Sequence, residues 1–257
     1  MQRMQNRYSQ LLIAHKEIIH TFTTRHGGVS KTPFESNNLA FHVGDDPKDV
    51  IINQELLAQK MGYDCARLVH MRQIHSDRVV IVDASVHDFE NPPECDALIT
   101  DQPGIPLMVM TADCTPVLLF DPVRNVIAAA HAGRAGATKG IVPKTIEKMQ
   151  QSFSCRIEDI LVVLGPSIQS CCYEVGEKIA GELEESGFGY AVIKREGRFY
   201  LEVNAIIKKQ LEELAIKKAQ VEDLGICNAC EHEAFFSYRA DKQKTGRIAG
   251  VLMLKRL

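Results

Sequence analysis

The 257-residue chain has no tryptophan, no apolar run long enough to span a bilayer, and little charge of either sign in excess. Its formal net charge of -3 and pI near 6.3 give no basic face for nucleic acid or an anionic membrane surface. A small molecule is therefore the expected partner, with no nucleic acid and no membrane. None of the nine histidines stands in a His-x-His pair, which disfavours the many-ligand copper assembly of a true laccase. There is no Walker loop, no dinucleotide fingerprint, no internal repeat and no low-complexity tract. The N-terminal apolar stretch is interrupted by His15, Lys16 and Glu17 and lacks a small-residue cleavage site, so a cytoplasmic protein is expected.

What is present is an ordinary globular composition, 45% apolar and 25% charged, enough for a sizeable core without staples. Eight cysteines in a reducing compartment read as free thiols, a metal site or a catalytic group rather than a disulfide framework. Residues 48–61 carry apolar side chains at helical spacing and stop at Gly62. The stretches 78–83, 160–165, 106–111, 116–121 and 126–131 are short, apolar and bounded by polar or glycine residues, as buried strands are. Helices are expected over 138–150 and 203–215. Strands interspersed with helices predict an α/β or α+β fold, one layered domain over residues 1–257 with a mixed central β-sheet.

Cys114 follows one apolar run and His131 closes another, each at the C-terminal edge of a predicted strand, and His75 precedes a third strand. Reactive groups collect at such edges. One thiolate and two imidazoles with a vacant fourth position suit a catalytic zinc. The same residues suit a metal-free Cys114 nucleophile with a His131 base, or a mononuclear copper site, and spacing does not separate these readings. Taken singly, each is better explained as a small core cysteine or a loop-capping histidine. The Cys-x-x-Cys of "CNACEHE" (227–233) is half of a zinc ribbon. Cys171-Cys172 lacks the spacing of a second half, and the four read as incidental loop thiols. "HAGRAGATKG" (131–140) leads into a helix, where Arg134 and backbone N–H groups suit an anion as well as a tight turn. Arg25, before Gly27 and Gly28, is either in a solvated turn or aimed into a pocket.

The segments "TTRHGGVS", "QIHSDRV", "CDALIT", "TADCTPVLLFDP", "AAAHAG", "LGPSIQSCCYEVG" and "FFSYRADKQKTGRIAG", in this order from about Phe22 to Met253, resemble the YfiH-like, laccase-domain (polyphenol oxidase-type) family. The resemblance implies a layered fold similar to toxin-type cysteine hydrolases. It implies a zinc bound by His75, Cys114 and His131, which are then also the catalytic residues, with copper as the alternative metal. The implied activity is that of a purine nucleoside phosphorylase: phosphorolysis of adenosine, inosine, guanosine and methylthioadenosine, with adenosine deamination besides. Its implied substrates are therefore a nucleoside and phosphate, contacted by Arg25, Asn38, Gln73, Asp113, Arg134 and Arg239. Asp113 is alternatively an acceptor that orients a metal ligand. The competing functions are a metal-free hydrolase, a peptidoglycan-precursor editing factor, or a nucleoside-binding relative without turnover. Two departures bear on phosphate. Where the family usually reads Ala-His-Ala-Gly-Trp-Arg-Gly, this chain has Arg134 and Ala135 in place of the Trp-Arg, and Ala240 replaces the second arginine of Tyr-Arg-Arg-Asp. Bidentate donors and a flat apolar wall are thereby lost.

Overall fold

A computed structural model describes residues 6–83 and 91–256. Its strands are β1 (Ile18–Phe22), β2 (Val69–His70), β3 (Val79–Ile81), β4 (Ala97–Thr100), β5 (Leu107–Thr111), β6 (Thr115–Asp121), β7 (Val126–Ala132), β8 (Leu161–Leu164), β9 (Glu174–Val175), β10 (Val192–Arg195), β11 (Arg198–Leu201), β12 (Val221–Asp223) and β13 (Ile248–Leu254). Its α-helices are α1 (Gln10–Ile13), α2 (Pro47–Met61), α3 (Arg134–Thr138), α4 (Ile141–Phe153), α5 (Glu177–Glu185) and α6 (Val203–Glu213). A six-stranded mixed sheet runs β12-β8-β6-β7-β4-β3, a four-stranded mixed sheet runs β1-β13-β5-β2, and β10-β11-β9 form a small antiparallel sheet.

Alternation along β7 explains how the layers stack. Ala128 and Ala130 pack with Ile141, Ile146 and Met149 of α4, whereas Ile127 and Ala129 pack with Val109, Leu118 and Leu252. Successive side chains of a strand point to opposite faces, so the six-stranded sheet is covered on both sides. On the far side of the four-stranded sheet, Met108, Met110, Ala249 and Val251 meet Leu57 and Ala58 of α2. The order of layers is helices, six strands, four strands, helix. Alanine along β7 leaves little side-chain bulk between the layers, so neighbouring elements approach closely.

The expected elements form, with shifted boundaries. α2 begins one residue early because Asp46 caps Lys48 N at 2.9 Å and Pro47 suits the first turn, and it ends at Gly62 with φ 76°. The helix expected over 138–150 is broken instead: Gly140 at φ 78° separates α3 from α4, and Pro143 falls in the first turn of α4, where a missing N–H costs nothing. α6 stops before Ala215, whose φ is 62°. The β10–β11 hairpin, not expected, closes through Glu196 and Gly197, both at positive φ as a two-residue turn requires.

Candidate active site

Sheet direction gathers one set of loops at one end of the molecule. β3 and β4 are parallel, and both β4 and β6 run antiparallel to β7. The starts of β3, β4 and β6 therefore lie beside the end of β7. His75 precedes β3, Asp96 precedes β4, Cys114 precedes β6, and His131 lies near the end of β7. In the facing sheet, β13 is antiparallel to β5, with Ile248 opposite Thr111, so Arg247 reaches the same end. β8 also finishes there, with Leu164 opposite Val117, and β12 runs parallel to it. Cys114 thus lies in the short loop between the C-terminal end of β5 and the start of β6, and His131 near the C-terminal end of β7.

One ligand atom from each of His75, Cys114 and His131 lies within 4.8 Å of the others. Cys114 Sγ is 4.0 Å from His75 Nε2, and the two imidazoles meet edge to face with centroids 4.9 Å apart. A tetrahedral zinc holds sulfur and nitrogen donors roughly 3.5 Å apart, so a small contraction completes the geometry. Asp96 fixes the orientation. Its buried carboxylate accepts from His131 Nδ1 at 2.8 Å, which turns Nε2 toward the thiol. The same carboxylate accepts from the backbone N–H of His75 at 3.1 Å and of Ser76 at 2.6 Å, and from Ser76 Oγ at 2.7 Å. This is the partner a metal-ligating histidine ordinarily has. Gly133 completes the fit, because a Cβ there would stand 2.7 Å from Cys114 Sγ and 3.3 Å from the His75 ring. The donor set and its glycine cradle suit a thiophilic divalent ion.

The charges reinforce one another. Enclosure alone would push the Cys114 thiol up, but the positive charge of His131 and hydrogen bonds from both histidines bring it down to about 6. Burial disfavours the His131 cation, yet the Cys114 charge and the Asp96 hydrogen bond raise it to about 9. For Asp96 the burial penalty is outweighed by His131 and Ser76, which hold it at about 2. The residues flanking this set sit in unusual backbone. His75 has φ 56° and Asp113 φ 91°, a region that non-glycine side chains rarely occupy. His75 is held by Asp96, and Asp113 anchors a distant loop by accepting from Ser237 Oγ at 2.6 Å and Arg239 N at 2.7 Å.

The ligand trio opens onto a cleft of about 510 Å³. Of the residues expected to touch substrate, Gln73, Asp113, Arg134 and Arg239 line it. Gln73 is already committed, giving and taking hydrogen bonds with the Met110 backbone at 2.7 and 2.9 Å. Arg25 and Asn38 do not line the cleft. Arg25 donates to Glu35 O and His232 O and stacks on Phe236 at 4.7 Å. Asn38 is buried and bonds Ala40, Asp45 and Arg247 N. Both hold the scaffold together, Arg25 through two carbonyls and the Asp241 carboxylate, Asn38 through backbone groups and the Asp45 carboxylate. Lining residues that went unnoticed in the sequence include His42, Tyr173, Tyr238 and Arg247. Asp96 was missed as well, although an Asp directly before an apolar strand was a usable signal. Tyr173 and Tyr238 supply flat walls of the kind a Trp would give, and Arg239 stacks on Tyr173 at 5.3 Å. The Arg247 guanidinium is half-buried, which lowers its pKa, and donates to Thr245 O and Gly246 O at 3.0 Å.

The profile of the family described as "Multi-copper polyphenol oxidoreductase laccase" matches residues 19–255. A purine nucleoside phosphorylase of Streptomyces coelicolor is 40% identical over 241 residues, covering 91% of this chain and 94% of its own. One from Corynebacterium glutamicum is 40% identical over 233 residues, covering 91% and 93%. Among solved structures, the hypothetical protein YfiH of Bacillus licheniformis superposes with a TM-score of 0.87 at 32% identity, covering 93% of each chain. YlmD from Geobacillus stearothermophilus gives 0.87 at 29% identity, covering 96% of this chain and 94% of that one.

Proposed function

The chain belongs to the YfiH/laccase-like family, described as multi-copper polyphenol oxidoreductase laccase, and from that premise we propose that it is a zinc-dependent purine nucleoside phosphorylase of the cytoplasm, acting as one domain. The observation that carries the reading is the convergence of His75, Cys114 and His131 at a cleft edged by Arg134, Arg239 and Arg247. Relatives sharing about two residues in five bear the phosphorylase name, and three guanidinium groups around one cleft are what a dianionic nucleophile calls for. Phosphate, held by these arginines, places one oxygen beside C1′ of the ribose. The new C1′–O bond forms as the C1′–N9 bond breaks, and the electron pair leaves on the purine nitrogen, which then takes a proton. The arginines hold the nucleophile in line and offset its charge, while Tyr173 and Tyr238 flank the base. Adenosine, inosine, guanosine and methylthioadenosine are the proposed substrates, with adenosine deamination as a second activity. A zinc ion held by the trio, or copper in its place, supplies Lewis acidity at the cleft, the property that attack at C6 calls on.

Arg247 and Arg239 meet the difficulty raised by the missing family arginines, since both stand at the cleft whereas Ala135 and Ala240 offer no donor. Purified protein incubated with each nucleoside, with and without phosphate, tests the proposal. Free base and ribose 1-phosphate, or 5-methylthioribose 1-phosphate from methylthioadenosine, are expected only with phosphate, and inosine from adenosine without it. No product from any of them at any zinc loading refutes it. The low Cys114 pKa beside His131 favours one competing reading, a metal-free Cys114 nucleophile with His131 as base. Cys114→Ala separates the two: the zinc reading expects loss of one metal equivalent, and unchanged metal content supports the hydrolase.

A further inference from the structure

The four cysteines 171, 172, 227 and 230 come from two loops 55 residues or more apart in sequence, yet their sulfurs all lie within 4.8 Å of one another. Cys230 Sγ stands 3.4 Å from Cys171 Sγ and 3.3 Å from Cys172 Sγ. Four sulfurs around one zinc at about 2.3 Å lie roughly 3.8 Å apart, so the cluster is already at the spacing of a closed tetrathiolate. A disulfide needs about 2.05 Å, and all four thiols are free. We propose that this cluster is a second metal centre, a structural zinc site closed by four thiolates and distinct from the cleft.

The backbone presents the sulfurs in a fixed way. Ser167 and Cys227 bridge as parallel partners, with Ser167 N donating to Ile226 O and Asn228 N to Ser167 O. Cys227 and Cys230 have the Cys-x-x-Cys spacing of a zinc knuckle, and Glu231 N closes the turn on Cys227 O at 3.0 Å. On the other side Cys172 N donates to Gln169 O at 2.9 Å, which turns the adjacent cysteines inward. Four thiolates on one zinc leave two negative charges in excess. A guanidinium stands by, because Arg195 donates to the carbonyl of Ser170, next to Cys171. Soft sulfur donors with no oxygen or nitrogen select zinc over the hard cations.

The site has a structural purpose that the fold makes visible. Ile168, beside the first loop, donates its N–H to Asp113 O at 2.8 Å, and Tyr173 follows Cys172 directly. The second loop leads on to Ser237 and Arg239, the groups that Asp113 holds. A zinc here staples together the two loops that carry the Tyr173 and Arg239 wall of the cleft. Zinc binding by four thiols releases their protons and adds its affinity to the stability of the folded chain.

The test is metal analysis of protein purified without a His-tag in reducing buffer and loaded with zinc alone. Wild type is expected to hold two zinc ions per chain, and both Cys114→Ser and the double variant Cys227→Ser/Cys230→Ser one each. X-ray absorption on the zinc retained by Cys114→Ser should give sulfur neighbours only, at about 2.3 Å. That measurement leaves the four cysteines untouched, so it decides the matter even if the double variant fails to fold. A Cys114→Ser protein with no zinc, with nitrogen or oxygen ligands on its zinc, or with a disulfide among the four cysteines overturns the proposal. Wild-type protein that holds zinc at the sulfur site and none in the cleft would sink the proposed function while sparing this one.

Discussion

Replacing Asp96 with Asn keeps shape and removes the charge that organises the trio. The carboxylate accepts five hydrogen bonds: from the N–H groups of Ile74, His75 and Ser76, from Ser76 Oγ, and from His131 Nδ1. An amide retains one acceptor oxygen, and its NH2 group faces donors with which it cannot pair. Two or so buried donors are left without partners, at about 1–3 kcal/mol each, so the fold should lose about 2–6 kcal/mol. His131 also loses the contact that fixes its tautomer, and such outer partners are ordinarily worth 10–100-fold in metal affinity, about 1.4–2.7 kcal/mol. Zinc competition against a chelator measures the second quantity and urea unfolding of the metal-free protein the first. Ser76→Ala is the control: it removes one hydrogen bond to Asp96, should cost about 1 kcal/mol of stability, and should leave zinc affinity close to that of the parent. If Asp96→Asn binds zinc as tightly as the parent while remaining folded, the orienting role assigned to Asp96 is wrong.

Gly133→Ala should abolish zinc binding in the cleft with little loss of stability, because φ -77° and ψ 176° suit alanine while its Cβ would sit 2.7 Å from Cys114 Sγ; metal analysis and a thermal melt check both halves. His20 is buried and accepts from Ser9 N at 2.9 Å, and burial lowers its pKa to about 4, so the unfolded chain takes up a proton between about pH 6.5 and 4 that the folded chain refuses. Stability should therefore be full above about pH 6.5 and fall by about 3 kcal/mol down to about pH 4; in His20→Gln urea melts across that range should show a shallower slope, with the buried His70 supplying part of what remains. Arg247→Lys should raise the KM for phosphate roughly tenfold, about 1.4 kcal/mol, with a smaller change in kcat, because an ammonium cannot replace a planar fork of donors; an unaltered KM would remove Arg247 from the phosphate site.

The strand segments and the Cys114, His75 and His131 trio were legible because each rests on a local signal, an apolar run with a chemically distinct residue at its edge. β1 and β13 are not among the strands expected from the sequence, although they pair with each other across almost the entire chain, Ile18 opposite Leu254. Pairing over that separation leaves no trace in a window of a dozen residues. The break at Gly140 was hidden because the surrounding residues keep helical periodicity while the backbone turns left-handed. Arg25 and Asn38 illustrate the opposite failure. The resemblance implies a substrate contact for each, yet each spends its side chain on carbonyl and carboxylate partners of the protein itself, which only the three-dimensional neighbours reveal. The four cysteines escaped for the same reason, since adjacent Cys171 and Cys172 have no recognisable spacing until a loop far along the chain meets them.

Two carboxylates explain how loops from distant segments behave as one site. Asp96 bonds the backbone around His75, whose φ of 56° would relax without it, and the same group turns His131. Asp113, itself at φ 91°, reaches across to Ser237 and Arg239 and so fixes the opposite wall. Strained positions of this kind cost about 1–3 kcal/mol each and persist only when the surroundings over-determine them. Here the surroundings are backbone N–H groups that have no other partner at the end of a sheet, so the strain and the hydrogen bonds are mutually dependent. Neither carboxylate needs to touch substrate for its loss to disable the site. The cleft is anchored on the side of the trio through Asp96 and on the side of Arg239 through Asp113, so the two walls face each other only while both anchors hold.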